Sequence, residues 1–169
     1  PVGIRASDWF GYSSGYFAAT SIVPGLGYWV KANAPGKFFF SSGPGPTGRG
    51  QATAGILDRL NTLTIKDNAG GSQTLYFGAA GEEGVADAMY PMPPLPPVGA
   101  FDARFESAEG GLMVQAHPSK VENVIDLPIS IQSVSYPLTV SWKVAGAGTS
   151  YELSDGVGGQ VFASRSVNG

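Results

Sequence analysis

Alternation of apolar and polar positions is the clearest signal in the chain. Leu138, Val140, Trp142 and Val144 alternate with Thr139, Ser141 and Lys143, which is the pattern of a strand with one dry and one wet face. Leu63 and Ile65 alternate with Thr62, Thr64 and Lys66, and Ile129 and Ile131 with Ser130 and Gln132. Phe101, Ala103 and Phe105 alternate with Asp102, Arg104 and Glu106, placing those three charged residues on a wet face. Tyr151-Glu152-Leu153 and residues 160–163 form two last short runs, joined by the glycine-rich residues 155–159. Between the run that ends at Lys66 and the run Gln73 to Phe77 lies Asp67-Asn68-Ala69-Gly70-Gly71, turn chemistry that predicts a hairpin.

The first third is less regular. Residues 15–20 read as a short strand, and Val23-Pro24-Gly25-Leu26 as a turn. Residues 27–32 and 37–41 are rich in aromatic and β-branched side chains and flank Pro35-Gly36, which predicts a hairpin there. Residues 42–48, SGPGPTG, have nothing to bury and mark a boundary. The expected layout is an N-terminal β unit over residues 1–45 and a sandwich domain over 46–169. Residues 51–60 have the only helix-like character, enough for one or two turns. Residues 90–97, YPMPPLPP, carry five prolines that cannot donate to a ladder, so they predict an extended polyproline crossover or edge covering. Many short strands with single-face burial predict an all-β fold: an antiparallel β-sandwich of the Ig or jelly-roll kind, with a smaller N-terminal β-hairpin unit. An open or irregular barrel is the alternative.

Composition agrees with strands and turns. Of 169 residues, 25 are glycine and 13 proline, and only 14% are charged, whereas helix surfaces favour Glu, Lys and Arg. A hydrophobic fraction of 43% is too high for disorder. With no cysteine, thiolate metal sites and thiol nucleophiles are excluded. A net charge of −3 without a basic cluster argues against nucleic acid as a partner. No apolar stretch approaches the roughly 20 residues of a spanning helix. The chain opens on Pro1-Val2-Gly3, which reads as a processed or excised piece of something longer.

Several phrases resemble a recurrent β module. They are Leu63-Thr64-Ile65-Lys66-Asp67, then Ser72 to Gly78, then Pro93-Pro94-Leu95-Pro96-Pro97 with Gly99 to Phe105. The module is that of large exported proteins of the Bacteroidetes, Ignavibacteria and Chlorobi group, typically cargo of type IX secretion. Pro24 to Lys31 is similar to a stretch that lies just upstream in such proteins. The resemblance implies export and residence at the cell surface or outside the cell, and it carries over no catalytic residue. Nothing after Tyr151 resembles the C-terminal sorting domain with which these proteins usually finish.

Candidate chemistry is sparse. The sole histidine, His117, precedes Pro118 in a polar stretch and reads as an exposed loop residue. Glu82, Glu83 and Asp87 read as solvated charges, because paired catalytic carboxylates come from rigid elements that face each other. Asp67 and Asp155 sit in turn sequences that fall short of a calcium loop, and no serine has a nucleophile-elbow context. No cofactor, metal site or catalytic residue is expected. The aromatic series is more promising: Trp9, Tyr12, Tyr16 and Trp29 are candidate ligand-binding residues, since exposed Trp and Tyr on a β surface stack against the apolar face of sugar rings. A small aromatic core between the N-terminal unit and the main domain is the competing reading. Tyr90, Pro93, Pro94, Leu95, Pro96 and Pro97 form a candidate interaction strip.

These features point to a non-catalytic structural or interaction module of a secreted or cell-surface protein, a building block of an extracellular assembly or filament. A carbohydrate-binding or adhesin module is the alternative. The expected partners are other protein subunits, a second copy of the chain among them, or surface polysaccharide.

Overall fold

The computed structural model describes residues 3–40, 57–79, 90–108, 110–118, 124–144, 150–158, 160 and 165–167. Its strands are β1 (Phe10–Tyr12), β2 (Tyr16–Ala18), β3 (Asn61–Lys66), β4 (Ser72–Ala79), β5 (Asp102–Ser107) and β6 (Gly110–Leu112). They continue with β7 (Val114–His117), β8 (Ile129–Gln132), β9 (Thr139–Lys143), β10 (Tyr151–Leu153) and β11 (Arg165–Val167). The expected all-β sandwich with a small N-terminal hairpin is what forms. Residues 41–56, which contain the expected domain boundary and most of the helix-like segment, lie outside the described residues, as do 161–164 of the last expected strand. Residues 57–60 make a single turn closed by Leu60 N–H on the Leu57 carbonyl at 3.2 Å.

The β3–β4 hairpin forms where the turn chemistry puts it. Asp67 Oδ1 accepts the N–H groups of Ala69 (3.0 Å) and Gly71 (2.6 Å), and Gly70 takes a φ of +93° that a side chain would resist. Lys66 then pairs with Ser72 and Asn61 with Phe77. Directly opposed residues share a face, so Leu63, Ile65, Leu75 and Phe77 converge. β9 adds Val140 opposite Ile65 and Trp142 opposite Leu63. On the far edge β7 joins β4 in parallel, the one departure from antiparallel pairing among the described strands. The resulting sheet, β7-β4-β3-β9, faces a second sheet, β6-β5-β8. Phe101, Ala103 and Phe105 complete the core between them. Each such Leu, Ile or Phe contributes about 1.5–3 kcal/mol by leaving water.

The N-terminal hairpin uses different residues from those expected. β1 and β2 pair from Phe10↔Ala18 to Tyr12↔Tyr16, and the turn places Ser14 at a φ of 63°. Residues 27–32 and 37–41 do not pair with each other among the described residues. Trp29 instead exchanges two 2.8 Å backbone hydrogen bonds with Phe10, and Ala32 bridges Arg5. Phe38 and Phe40 set their rings against Trp9. Both ring contacts bury apolar surface that a two-stranded ribbon would leave in water.

Gln73 fastens this unit to the sandwich. Its Oε1 accepts the Tyr16 N–H and its Nε2 donates to the Tyr16 carbonyl, both at 2.7 Å. Ser72 N–H adds a 2.7 Å bond to the Ser14 carbonyl. Close approach requires Gly15, because a Cβ there would collide with the Ser72 carbonyl. Phe10 and Tyr16 enter a second core with Leu57, Leu60, Tyr90, Met92, Met113 and Val114.

Candidate binding groove

The second face of β5 is not wet. Asp102 is 1% exposed and Arg104 is buried beside it. The guanidinium holds the carboxylate through two bonds, Nε to Oδ1 at 2.6 Å and Nη2 to Oδ2 at 2.7 Å. Expecting these residues in solvent was an error of context: a strand's second face is wet only when nothing covers it, and here the proline segment does. Glu106, beyond the covered stretch, is exposed as expected.

From the ion pair upward, the construction is simple. Arg104 Nη1 donates to the Pro93 carbonyl at 2.9 Å and fixes one end of the proline segment. Gln132 Nε2 donates to the Pro96 carbonyl at 3.1 Å and fixes the other. A turn in which Ala100 N–H reaches the Pro97 carbonyl at 3.0 Å then leads into β5. Against this wall stand rings from the N-terminal unit. Tyr12 donates to the Phe101 carbonyl at 2.9 Å, and Tyr16 makes a long 3.4 Å contact to the Pro94 carbonyl. The two tyrosine rings meet edge to face at 5.1 Å. Burial pushes both hydroxyls above the ordinary tyrosine range, and the Asp102 carboxylate adds to the shift. They therefore stay protonated and keep donating at neutral pH.

The result is a groove of about 250 Å³ lined by Tyr12, Tyr16, Trp29, residues 94–97 and Ala100. Its walls come from segments more than sixty positions apart, and both were singled out from sequence. Trp29 is 54% and Tyr12 41% exposed, while Tyr16 is buried beneath them. Trp9 lies elsewhere, half-buried between Phe38 and Phe40. Two members of the expected strip also face inward. Tyr90 is fully buried in the second core, and Pro93 is buried with its carbonyl held by Arg104. Pro94, Leu95 and Pro97 are exposed and Pro96 half-exposed. Asp102, Arg104 and Gln132, which hold the wall in place, escaped the sequence reading because alternation describes one strand and not what lies on top of it.

His117 corrects another expectation. It is 5% exposed at the end of β7. Its Nδ1 donates to the Pro118 carbonyl at 2.9 Å, and its Nε2 is hydrogen-bonded to the Tyr151 hydroxyl at 2.9 Å. The Tyr151 oxygen in turn accepts from Asn61 Nδ2 at 3.1 Å. Both ring nitrogens are thus engaged in tying β10 to the sandwich. Asp67 is equally committed, since its second oxygen accepts the Ser135 N–H at 3.0 Å. Glu82, Glu83 and Asp87 lie outside the described residues. Among the described residues no three His, Asp or Glu side chains gather as a metal ion would require, and no helix is long and apolar enough to cross a membrane.

Fold and groove together define an all-β sandwich with a ring-lined apolar groove on its surface. No protein-family model matches the chain, and no curated protein or solved structure matches it.

Proposed function

We propose that the chain is a non-catalytic interaction module of a secreted or cell-surface protein, working through this groove as part of an extracellular assembly. One observation carries the reading: Tyr12, Tyr16 and Trp29 meet the proline wall over a buried ion pair, yet leave Trp29 and Tyr12 facing water. A rigid, pre-ordered apolar surface binds at low entropic cost. Export rests on the likeness of residues 63–67, 72–78, 93–105 and 24–31 to type IX secretion cargo. Antibody labelling of intact cells tests it, and an antigen reached only after lysis would refute it.

Carbohydrate binding is the second reading, favoured by the exposed Trp29 ring beside Tyr12. For the groove itself, retention of the chain is measured on insoluble envelope polysaccharide and on immobilised copies of the chain. Trp29→Ala is expected to lower retention on one of them at least tenfold. Retention that Trp29→Ala leaves unchanged on both would remove the groove from the account.

A further inference from the structure

The two sides of the sandwich are finished differently. The inward side chains of β3, β4 and β5 are at most 6% exposed. On one side the outer edge of β6 is taken by residues 90–92: Met92 N–H donates to the Gly111 carbonyl at 2.8 Å, and Met113 N–H to the Tyr90 carbonyl at 3.1 Å. On the other side run β8 and β9, the outermost strands of their sheets, joined by residues 133–138. Neither takes a further strand among the described residues. Their inward side chains are accordingly less covered: Ile129, Val140 and Trp142 are half-buried and Ile131 is 39% exposed.

Open edges are normally blunted by charge, proline or a bulge. Residues 127–142 carry no charged side chain, and no proline interrupts β9, whose one charge is Lys143 at its end. β8 is shorter and follows Pro128 directly, so β9 is the better edge. Its sequence is also self-complementary. Turned end for end about Ser141, Val140 meets Trp142 on the inward face that both share with Ile65 and Leu63. Thr139 meets Lys143 on the wet face, Ser141 meets its own copy, and the two lysines lie at opposite ends. A slip of one residue would set Val140 against Ser141 and mix the faces. We infer that β9 pairs antiparallel with β9 of a second copy across a two-fold axis at Ser141, so that the four-stranded sheet continues from one chain into the next. Ladder bonds and the Val140–Trp142 pairs supply the contact, between strands already ordered before they meet. A ladder of five residues makes a weak, reversible dimer. The inference goes beyond the groove reading and does not depend on it.

Sedimentation velocity of the full chain from micromolar to millimolar concentration tests the dimer. Ser141 is exposed, so Ser141→Lys and Ser141→Glu leave the fold intact, and thermal melts check this. Each places like charges face to face across the axis, which is destabilising. The parent is expected to dimerise reversibly and each variant at least about tenfold more weakly. An equimolar mixture of the two variants should recover the dimer, because lysine then meets glutamate. The Trp142 indole N–H signal should move with concentration in the parent and stay still in Ser141→Lys. A chain that stays monomeric, a dimer indifferent to Ser141→Lys, or a pair of variants that mixing does not restore overturns the inference. The groove is tested separately, since retention on polysaccharide depends on Trp29 and not on Ser141, so either reading can fail alone.

Discussion

Replacing Arg104 by methionine removes the cation that neutralises Asp102 and the donor that holds the Pro93 carbonyl. Asp102 is 1% exposed, so its carboxylate stays buried without compensation. Breaking a buried pair in this way costs about 3–5 kcal/mol, a large part of the roughly 5–15 kcal/mol that stabilises a typical domain. Substituting both partners, Asp102→Leu with Arg104→Met, removes the stranded charge as well as its partner. That double variant is expected to recover most of the loss, because a well-packed apolar replacement of a buried pair is often neutral, and to fall short of the parent by the roughly 1–3 kcal/mol of the buried Pro93 carbonyl left without a donor. Urea unfolding of the parent, both single variants and the double variant closes the cycle and yields the coupling energy. A loss below about 1 kcal/mol for Arg104→Met, or a double variant as unstable as the single one, would refute the reasoning. The double variant should also keep its sandwich while losing order along residues 93–97, since nothing then holds the Pro93 carbonyl.

Three further outcomes follow from other contacts. Gln73→Leu strands the buried N–H and carbonyl of Tyr16, and each orphaned group costs about 1–3 kcal/mol; hydrogen exchange should show β1 and β2 opening before the sandwich. Asp67 is held below the usual carboxylate range, chiefly by the Ser135 N–H and then by the turn amides. A depressed folded pKa stabilises above the unfolded value of about 3.9, so Asp67→Asn should be less stable than the parent at neutral pH, with the gap closing as pH falls through Asp67's own lower pKa; a gap that is independent of pH in acid unfolding scans would contradict this. Burial raises the hydroxyl pKa of Tyr12, Tyr16, Tyr76 and Tyr151, so these should ionise late in an ultraviolet titration, and stability should fall once pH passes about 10, where the unfolded chain ionises first.

Legibility in the sequence followed how local each feature is. The β3–β4 hairpin could be read because Asp67 and Gly70 encode the turn and Leu63, Ile65, Leu75 and Phe77 encode the face. β9 could be read for the same reason. β6 and β7 could not: Gly110-Gly111 gives no alternation, and the parallel pairing of β7 with β4 depends on a partner more than thirty positions away. The expected hairpin around Pro35-Gly36 does not form, because Trp29 pairs backward with Phe10 in β1, a partner that local turn chemistry cannot reveal. The groove was half legible. Tyr12, Tyr16, Trp29 and the prolines stood out by type, but their meeting depends on Arg104 and Gln73, whose roles are set by what covers them. His117 misled for the same reason, since its neighbours in sequence are polar while its neighbours in space are Tyr151 and Asn61.

The most direct measurement is the Trp29 indole N–H signal as the chain is titrated with soluble envelope polysaccharide and, separately, concentrated from micromolar to millimolar, with Trp9 as internal reference in both series and Trp142 in the first. Trp29 is expected to shift saturably in at least one of the two series while Trp142, partly buried against the sandwich core, stays in place as polysaccharide is added. A Trp29 signal that moves in neither series, or moves only in step with the other two, would contradict the groove reading.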